Sequence, residues 1–134
     1  MKLSERFNIR EILKFLVGGG SAVLVDFITY RLLVFWGMGI DISKLISYIL
    51  GAAVGFVINK LWTFESRKFR VSEIVKYIIL YACSALANNL VNTLALSLFN
   101  IVLLAFLAAT GTSTIINFLG QKFFVFAKKD NPEE

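Results

Sequence analysis

Glu11-Ile12-Leu13-Lys14-Phe15 is followed 62 residues later by Glu73-Ile74-Val75-Lys76-Tyr77, and Asn59-Lys60-Leu61-Trp62-Thr63-Phe64 is followed at the same offset by Gln121-Lys122-Phe123-Phe124-Val125-Phe126. Between these anchors the register holds without a gap: Leu24 meets Leu86, Asp26 meets Asn88, Leu32 meets Leu94, Leu45 meets Leu107 and Phe56 meets Phe118. The chain therefore reads as one unit written twice within a single domain of 134 residues, with repeat one over about 10–64 and repeat two over about 72–126. Repeats of this length arise in solenoids and in duplicated membrane hairpins.

Composition separates the two. With 57% apolar and 17% charged residues and a mean hydropathy of +0.74, a chain this short cannot hide its apolar surface in a water-soluble fold. A hydrocarbon core of roughly 30 Å needs about 20 residues of helix, and four such segments are read at 15–36, 43–64, 75–97 and 101–126. The fold class is therefore all-α integral membrane, with each repeat a helical hairpin. The runs are too long for barrel strands and lack sustained alternation. The first segment follows a charged leader, carries Asp26 and Arg31 and lacks a small-residue cleavage site, so it is expected to remain as a span.

Basic residues are distributed unevenly among the connections. Lys2, Arg6, Arg10, Lys14, Lys60, Arg67, Lys68, Arg70, Lys76, Lys122, Lys128 and Lys129 flank one side, while Arg31 and Lys44 lie toward the other. The positive-inside rule then places both termini and the 65–74 connection in the cytoplasm of a multi-pass cell-membrane protein. Both hairpins start and end on that side, so the repeats have parallel topology and a pseudo-two-fold axis along the membrane normal. The net charge of +5 is a membrane-surface signal, and no nucleic-acid partner is expected. The chain has no histidine and one cysteine, Cys83, so neither a disulfide framework nor a metal or other cofactor is expected.

Small residues mark where helices can approach closely in lipid. Ser47, Gly51 and Gly55 stand four apart, their equivalents are Ala109, Ser113 and Asn117, and Gly18, Gly19, Gly20 and Ala22 form a second such surface. Asn117 places an amide where its counterpart has Gly55.

Two groups of polar residues stand out as candidate sites. Asp26 lies roughly 16 Å along the helix from Phe15, near the midplane, where a carboxylate costs about 2.5–3.5 kcal/mol on insertion scales. Arg31, about 7.5 Å further out, either partners Asp26 or snorkels to the outer surface. Asn88, Asn89 and Asn92 cluster at the corresponding depth of the third helix. These amides, with Asn117, read either as an interhelical hydrogen-bond knot or as a polar cavity open to a hydrophilic head group. The second group lies at the inner rim, where Asn59 and Lys60, Gln121 and Lys122, and the repeat-matched Lys14 and Lys76 gather four ammonium groups and two amides. A lipid phosphate or diphosphate balances such a set. Trp62, Phe64, Phe124 and Phe126 fit an interfacial aromatic belt.

Lys14 through Gly19 leading into Asp26, Gly51 through Phe64 ending in Asn59-Lys60-Leu61-Trp62-Thr63-Phe64, and the second ending from Asn117 to Phe126 resemble the GtrA-like family, the transmembrane domain shared with dolichol-phosphate mannose synthases, over about residues 10 to 127. That resemblance implies a small four-helix membrane protein of cell-surface polysaccharide synthesis. Some members are proposed to flip polyprenyl-phosphate-linked sugars, and similar domains are fused to polyprenyl- or dolichol-phosphate glycosyltransferases. The second ending departs from the family pattern, with Gln121 for Asn and Phe124 for Trp.

Three functions are therefore weighed. A flippase keeps the polyprenyl tail in lipid, meets the phosphate at Lys60 and Lys122, and passes the sugar by Asp26 and the asparagines. A non-transporting anchor uses Arg67-Lys68-Phe69-Arg70 to recruit a membrane-surface glycosyltransferase. A proton-coupled exporter of small cations uses Asp26 alone, which the basic rim disfavours. An enzyme is the poorest fit, because Asp26 is the single deep carboxylate and no connection is long enough for a catalytic domain. A bundle this small has little interior, so a homo-oligomer is expected.

Overall fold

The computed structural model describes residues 8–127 and is helical throughout its regular elements. Lys2, Arg6, Lys128 and Lys129, counted above on the basic flank, lie outside the described residues. Helix α1 runs over Ile9–Phe35 and α2 over Ile40–Ile58, and α2 passes without a break into a π-helical turn over Asn59–Thr63. Helix α3 covers Val71–Phe99, α4 covers Val102–Gly120, and a second π-helical turn covers Gln121–Val125. The two π turns stand 62 residues apart, the same offset as the sequence repeat.

All four helical runs are long and apolar enough to cross a membrane. Helices α1 and α3 begin before the apolar segments read at 15 and 75, because polar residues build their first turns. Asn8 caps α1 by accepting the Arg10 backbone N–H at 2.9 Å, and Glu11 and Glu73 place carboxylates in the first turns of α1 and α3, where the helix dipole favours them. A hydropathy window does not register such turns, which is why α1 starts at Ile9 and not at residue 15.

The chain divides into two compact units between Arg67 and Lys68, each a helical hairpin. In the first, α1 ends in a turn where the Trp36 N–H reaches the Leu32 carbonyl and Gly37 takes a φ of +99°, a conformation that suits a residue without a Cβ. In the second, Asn100 holds the left-handed position with a φ of 53° and donates its N–H to the Leu96 carbonyl.

The hairpins close on small residues. Ser43, Ser47, Gly51 and Gly55 form a buried stripe down α2 at four-residue spacing. At Gly51 an added Cβ would lie 2.6 Å from the Ala22 carbonyl oxygen and 3.0 Å from the Asp26 Cβ, so α1 and α2 approach as closely as backbone allows. On α4, Ala105 and Ala109 are buried at matching positions. The large apolar side chains point the other way: Val23, Phe27, Phe35, Leu86, Leu98 and Val102 are all well exposed. Only 11–22% of each spanning window is buried, which in water would be untenable and in lipid is ordinary.

Candidate functional site at the π-helical ends of the hairpins

An α-helix that shifts to i→i+5 bonding for one turn admits an extra residue and rotates the residues beyond it. Here the Phe64 N–H reaches the Asn59 carbonyl at 2.8 Å and the Phe126 N–H reaches the Gln121 carbonyl at 2.8 Å. Both turns therefore begin on the amide of the Asn-Lys or Gln-Lys pair. The widened turn brings Asn59, at 2% exposure, and Lys60, at 7%, under cover together with Thr63.

Inside the first unit the partners are explicit. Thr63 Oγ1 donates to Asn59 Oδ1 at 2.9 Å, and the same amide oxygen stands 2.7 Å from where a Cβ on Gly18 would sit. Gly18 is thus the residue of the glycine run on α1 that admits Asn59. Gly19 and Gly20 face nothing within 4 Å. Lys60 Nζ donates to Ser66 Oγ at 3.1 Å, and Lys14 from α1 lays its ammonium 5.3 Å from the centroid of the Trp62 ring, within cation–π range.

The second unit repeats this end with one telling change. Lys76 lies 5.4 Å over the Phe124 ring, the counterpart of Lys14 over Trp62. Lys122 is half-buried and lies 5.8 Å over the Phe123 ring. Gln121 is 1% exposed, yet neither its amide nitrogen nor its amide oxygen has a hydrogen-bond partner, and the Asn117 amide oxygen one turn earlier is likewise buried and unmatched. The first unit spends its amide on Thr63. The second, with Val125 in that place, leaves Gln121 unsatisfied.

The aromatic belt needs correction. Trp62 and Phe124 are well exposed, as a belt requires, but Phe64 and Phe126 are each 3% exposed. Phe64 packs against the Phe15 ring at a centroid distance of 6.3 Å. The π turn is the reason, since it rotates the last aromatic of each motif back onto the hairpin.

The polar group around Asp26 is also assembled differently from the sequence-based expectation. Its cation is Lys44, whose Nζ lies 2.9 Å from both carboxylate oxygens, and Ser47 Oγ donates to Oδ1 at 2.6 Å. Arg31 is exposed and takes no part in this pair. Within α1, Asp26 stands about 6 Å past the helix midpoint toward the α1–α2 turn, which puts it within reach of a lysine near the start of α2. The Lys44 ammonium also lies 5.7 Å over the Tyr30 ring.

Of the three asparagines on α3, Asn88 alone has a cross-hairpin bond among those seen, donating to Ser113 Oγ at 3.0 Å. Ser84 Oγ adds a bond to the Ser113 carbonyl at 3.2 Å. Asn92 is half-buried and Asn89 is exposed. Eight of the twelve residues singled out from sequence thus fall into separate places in each unit: a π-helical end holding Asn59, Lys60 and Lys14 or Gln121, Lys122 and Lys76, and a mid-hairpin polar contact holding Asp26 or Asn88, while Arg31, Asn89, Asn92 and Asn117 join neither set of contacts. Lys44 joins the second place, although position alone assigned it to the outer surface.

Among the described residues no group of three or more His, Cys, Asp or Glu side chains is placed to hold a metal ion. A family model described as the GtrA/DPMS transmembrane domain matches residues 14–126, an interval that opens on Lys14 and closes on Phe126, the two ends of the π-helical constellation.

Proposed function

Because the chain belongs to the GtrA/DPMS transmembrane-domain family, we propose that it carries the polar head of a polyprenyl-phosphate-linked sugar across the membrane, for use in cell-surface polysaccharide synthesis. The observation that supports this most is the duplicated π-helical end. Each unit puts a lysine and a primary amide on a widened turn and holds a second lysine over an aromatic ring beside it. A phosphate ester wants cations together with hydrogen-bond donors. Within each unit the half-buried Lys14 or Lys76 meets it together with Lys60 or Lys122, and in the second unit the free N–H groups of Gln121 give it donors no other group has taken. The prenyl tail stays in lipid against the exposed Leu, Ile, Val and Phe faces, and the sugar hydroxyls are handed to the mid-hairpin polar group of the same unit, Asp26 in the first or Asn88 and Asn92 in the second.

Burial explains why this set serves binding better than stability. Leaving a buried amide unpaired costs about 1–3 kcal/mol, and an apolar side chain of similar volume at Gln121 would avoid it. Translocation of a labelled polyprenyl-phosphate sugar by proteoliposomes carrying Lys60→Ala, Lys122→Ala or Asp26→Ala tests the assignment. Loss of translocation with insertion and helicity intact is the expected result, and wild-type rates in all three would overturn it.

One observation favours a second reading. Phe69 is 72% exposed in the connection between the units and is flanked by Lys68 and Arg70, a surface suited to recruiting a glycosyltransferase. If that is its role, Phe69→Ser abolishes co-purification of such an enzyme while translocation is unchanged.

A further inference from the structure

The two units agree at their π-helical ends and diverge midway along their hairpins. At an offset of 62 residues Asp26 becomes Asn88, Tyr30 becomes Asn92, Lys44 becomes Phe106 and Ser47 becomes Ala109. Carboxylate and ammonium are absent together at these positions of the second unit, and that hairpin makes neutral hydrogen bonds there instead, from Asn88 and Ser84 to Ser113. The chain thus contains its own demonstration that the hairpin does not require the charge pair. A charge pair away from water is often no more stabilising than a neutral replacement of similar volume, so structural need is a poor account of the Asp26–Lys44 contact.

Geometry suggests a use. Lys44 is 56% exposed while Asp26 is 18% exposed, so the ammonium can be approached from outside and the carboxylate lies behind it. Lys44 and Lys60 sit sixteen residues apart on one continuous helical run, a rise of about 24 Å. With lysine side chains able to extend toward either interface, that separation matches a hydrocarbon core of roughly 30 Å. The two lysines stand at opposite ends of one span.

We infer that Lys44 is the second phosphate-binding station of this chain, taking a phosphate ester at the far end of α2 from Lys60, and that Asp26 is an internal anion that occupies Lys44 when no ligand does. This rests on the flipping reading for its purpose, but not for its chemistry. When phosphate takes the ammonium, Asp26 keeps the Ser47 hydroxyl, which already donates to it at 2.6 Å, so the exchange does not strand a bare carboxylate. When phosphate leaves, Asp26 reclaims Lys44. A station with a built-in competitor binds weakly enough to release what it receives, and Asp26 sets how weakly.

The test is equilibrium binding to the full chain in detergent micelles, with geranyl phosphate, inorganic phosphate and geraniol as probes. Removing a competing carboxylate a few ångströms from a cation is worth about tenfold or more in the cation's preference for another anion. Asp26→Asn should therefore tighten geranyl phosphate binding by about tenfold, and Lys44→Gln added to it should remove that gain. Asp26→Ser serves the same purpose should the Asn variant fail to fold. A gain seen with geranyl phosphate alone identifies a lipid headgroup. An equal gain with inorganic phosphate identifies the free anion, and either supports the station. No gain in the Asp26 variants, a gain that survives Lys44→Gln, or an equal gain with geraniol would overturn it. Because binding is read without vesicles, a wild-type chain that fails to translocate would sink the flipping reading and leave this result standing.

Discussion

Gly51→Ala should loosen the first hairpin, and the structure gives the size of the effect. The new Cβ would stand 2.6 Å from the Ala22 carbonyl oxygen, where ordinary contact begins at 3.4 Å. Backbone cannot turn aside as a side-chain tip can, so α1 and α2 must separate by about 0.8 Å or bend. Overpacking of this kind costs about 1–3 kcal/mol, and the better helix propensity of alanine returns about 1 kcal/mol. The net loss is up to about 2 kcal/mol. Gly19→Ala is the matched control on the other helix: nothing lies within 4 Å of its added Cβ, so it keeps only the propensity gain of about 1 kcal/mol. The two variants should differ by about 1–3 kcal/mol in equilibrium unfolding followed by circular dichroism in mixed micelles. The separation should also reach Ser47, one turn before Gly51, and lengthen its 2.6 Å bond to Asp26. Equal stability of the two variants would refute the close approach of α1 and α2 at Gly51.

Gln121→Leu should raise unfolding stability by about 1–3 kcal/mol, because it removes two buried polar atoms that have no partner. Translocation should fall in the same protein, and a loss of stability instead would mean that the amide is satisfied. Thr63→Val should cost about 1–2 kcal/mol by leaving the buried Asn59 amide oxygen without the hydroxyl that donates to it, as read from the same unfolding curves. Gly120→Ala drives its Cβ into the Leu80 side chain, so its penalty of about 1–3 kcal/mol should shrink when combined with Leu80→Ala, and strict additivity in the double-mutant cycle would contradict that contact. Trp62→Ala should weaken the hold on Lys14 by about 0.5–1 kcal/mol, visible as a small loss of geranyl phosphate affinity.

Much of this architecture is legible in the sequence because membrane helices must satisfy their own backbone, so apolar length reports directly on elements. The matched motifs beginning at Asn59 and Gln121 are readable as a recurring site, and both begin a turn of the same unusual kind. The π-helical bonding itself is not readable, since the i→i+5 shift has no side-chain signature. Sequence reasoning therefore assigns Phe64 and Phe126 to the interface, when the rotated turn packs them inward. Lys44 escapes it for another reason. Lysines near the end of a span normally extend toward water, and this one is drawn back toward Asp26. Counting outward from the turn at 36–39 places Asp26 opposite about residue 49, and a rise of about 7.5 Å back to Lys44 is nearly covered by the length of a lysine side chain. The signal is present in the hairpin geometry, but the snorkelling rule points away from it. The unmatched Gln121 could be suspected from sequence, because Val125 stands where the first repeat has Thr63. That substitution removes the hydroxyl Asn59 relies on.

The central claim is that this chain by itself moves a phosphate-linked sugar between leaflets. Its most direct test is the accessibility of a labelled polyprenyl-phosphate sugar to an impermeant reagent, in liposomes that contain only the purified protein. The account predicts that the label becomes fully accessible, at a rate that scales with protein per vesicle. A label that stays half-protected at every protein density, in vesicles whose protein still binds geranyl phosphate, would contradict it and leave the chain a lipid-binding anchor.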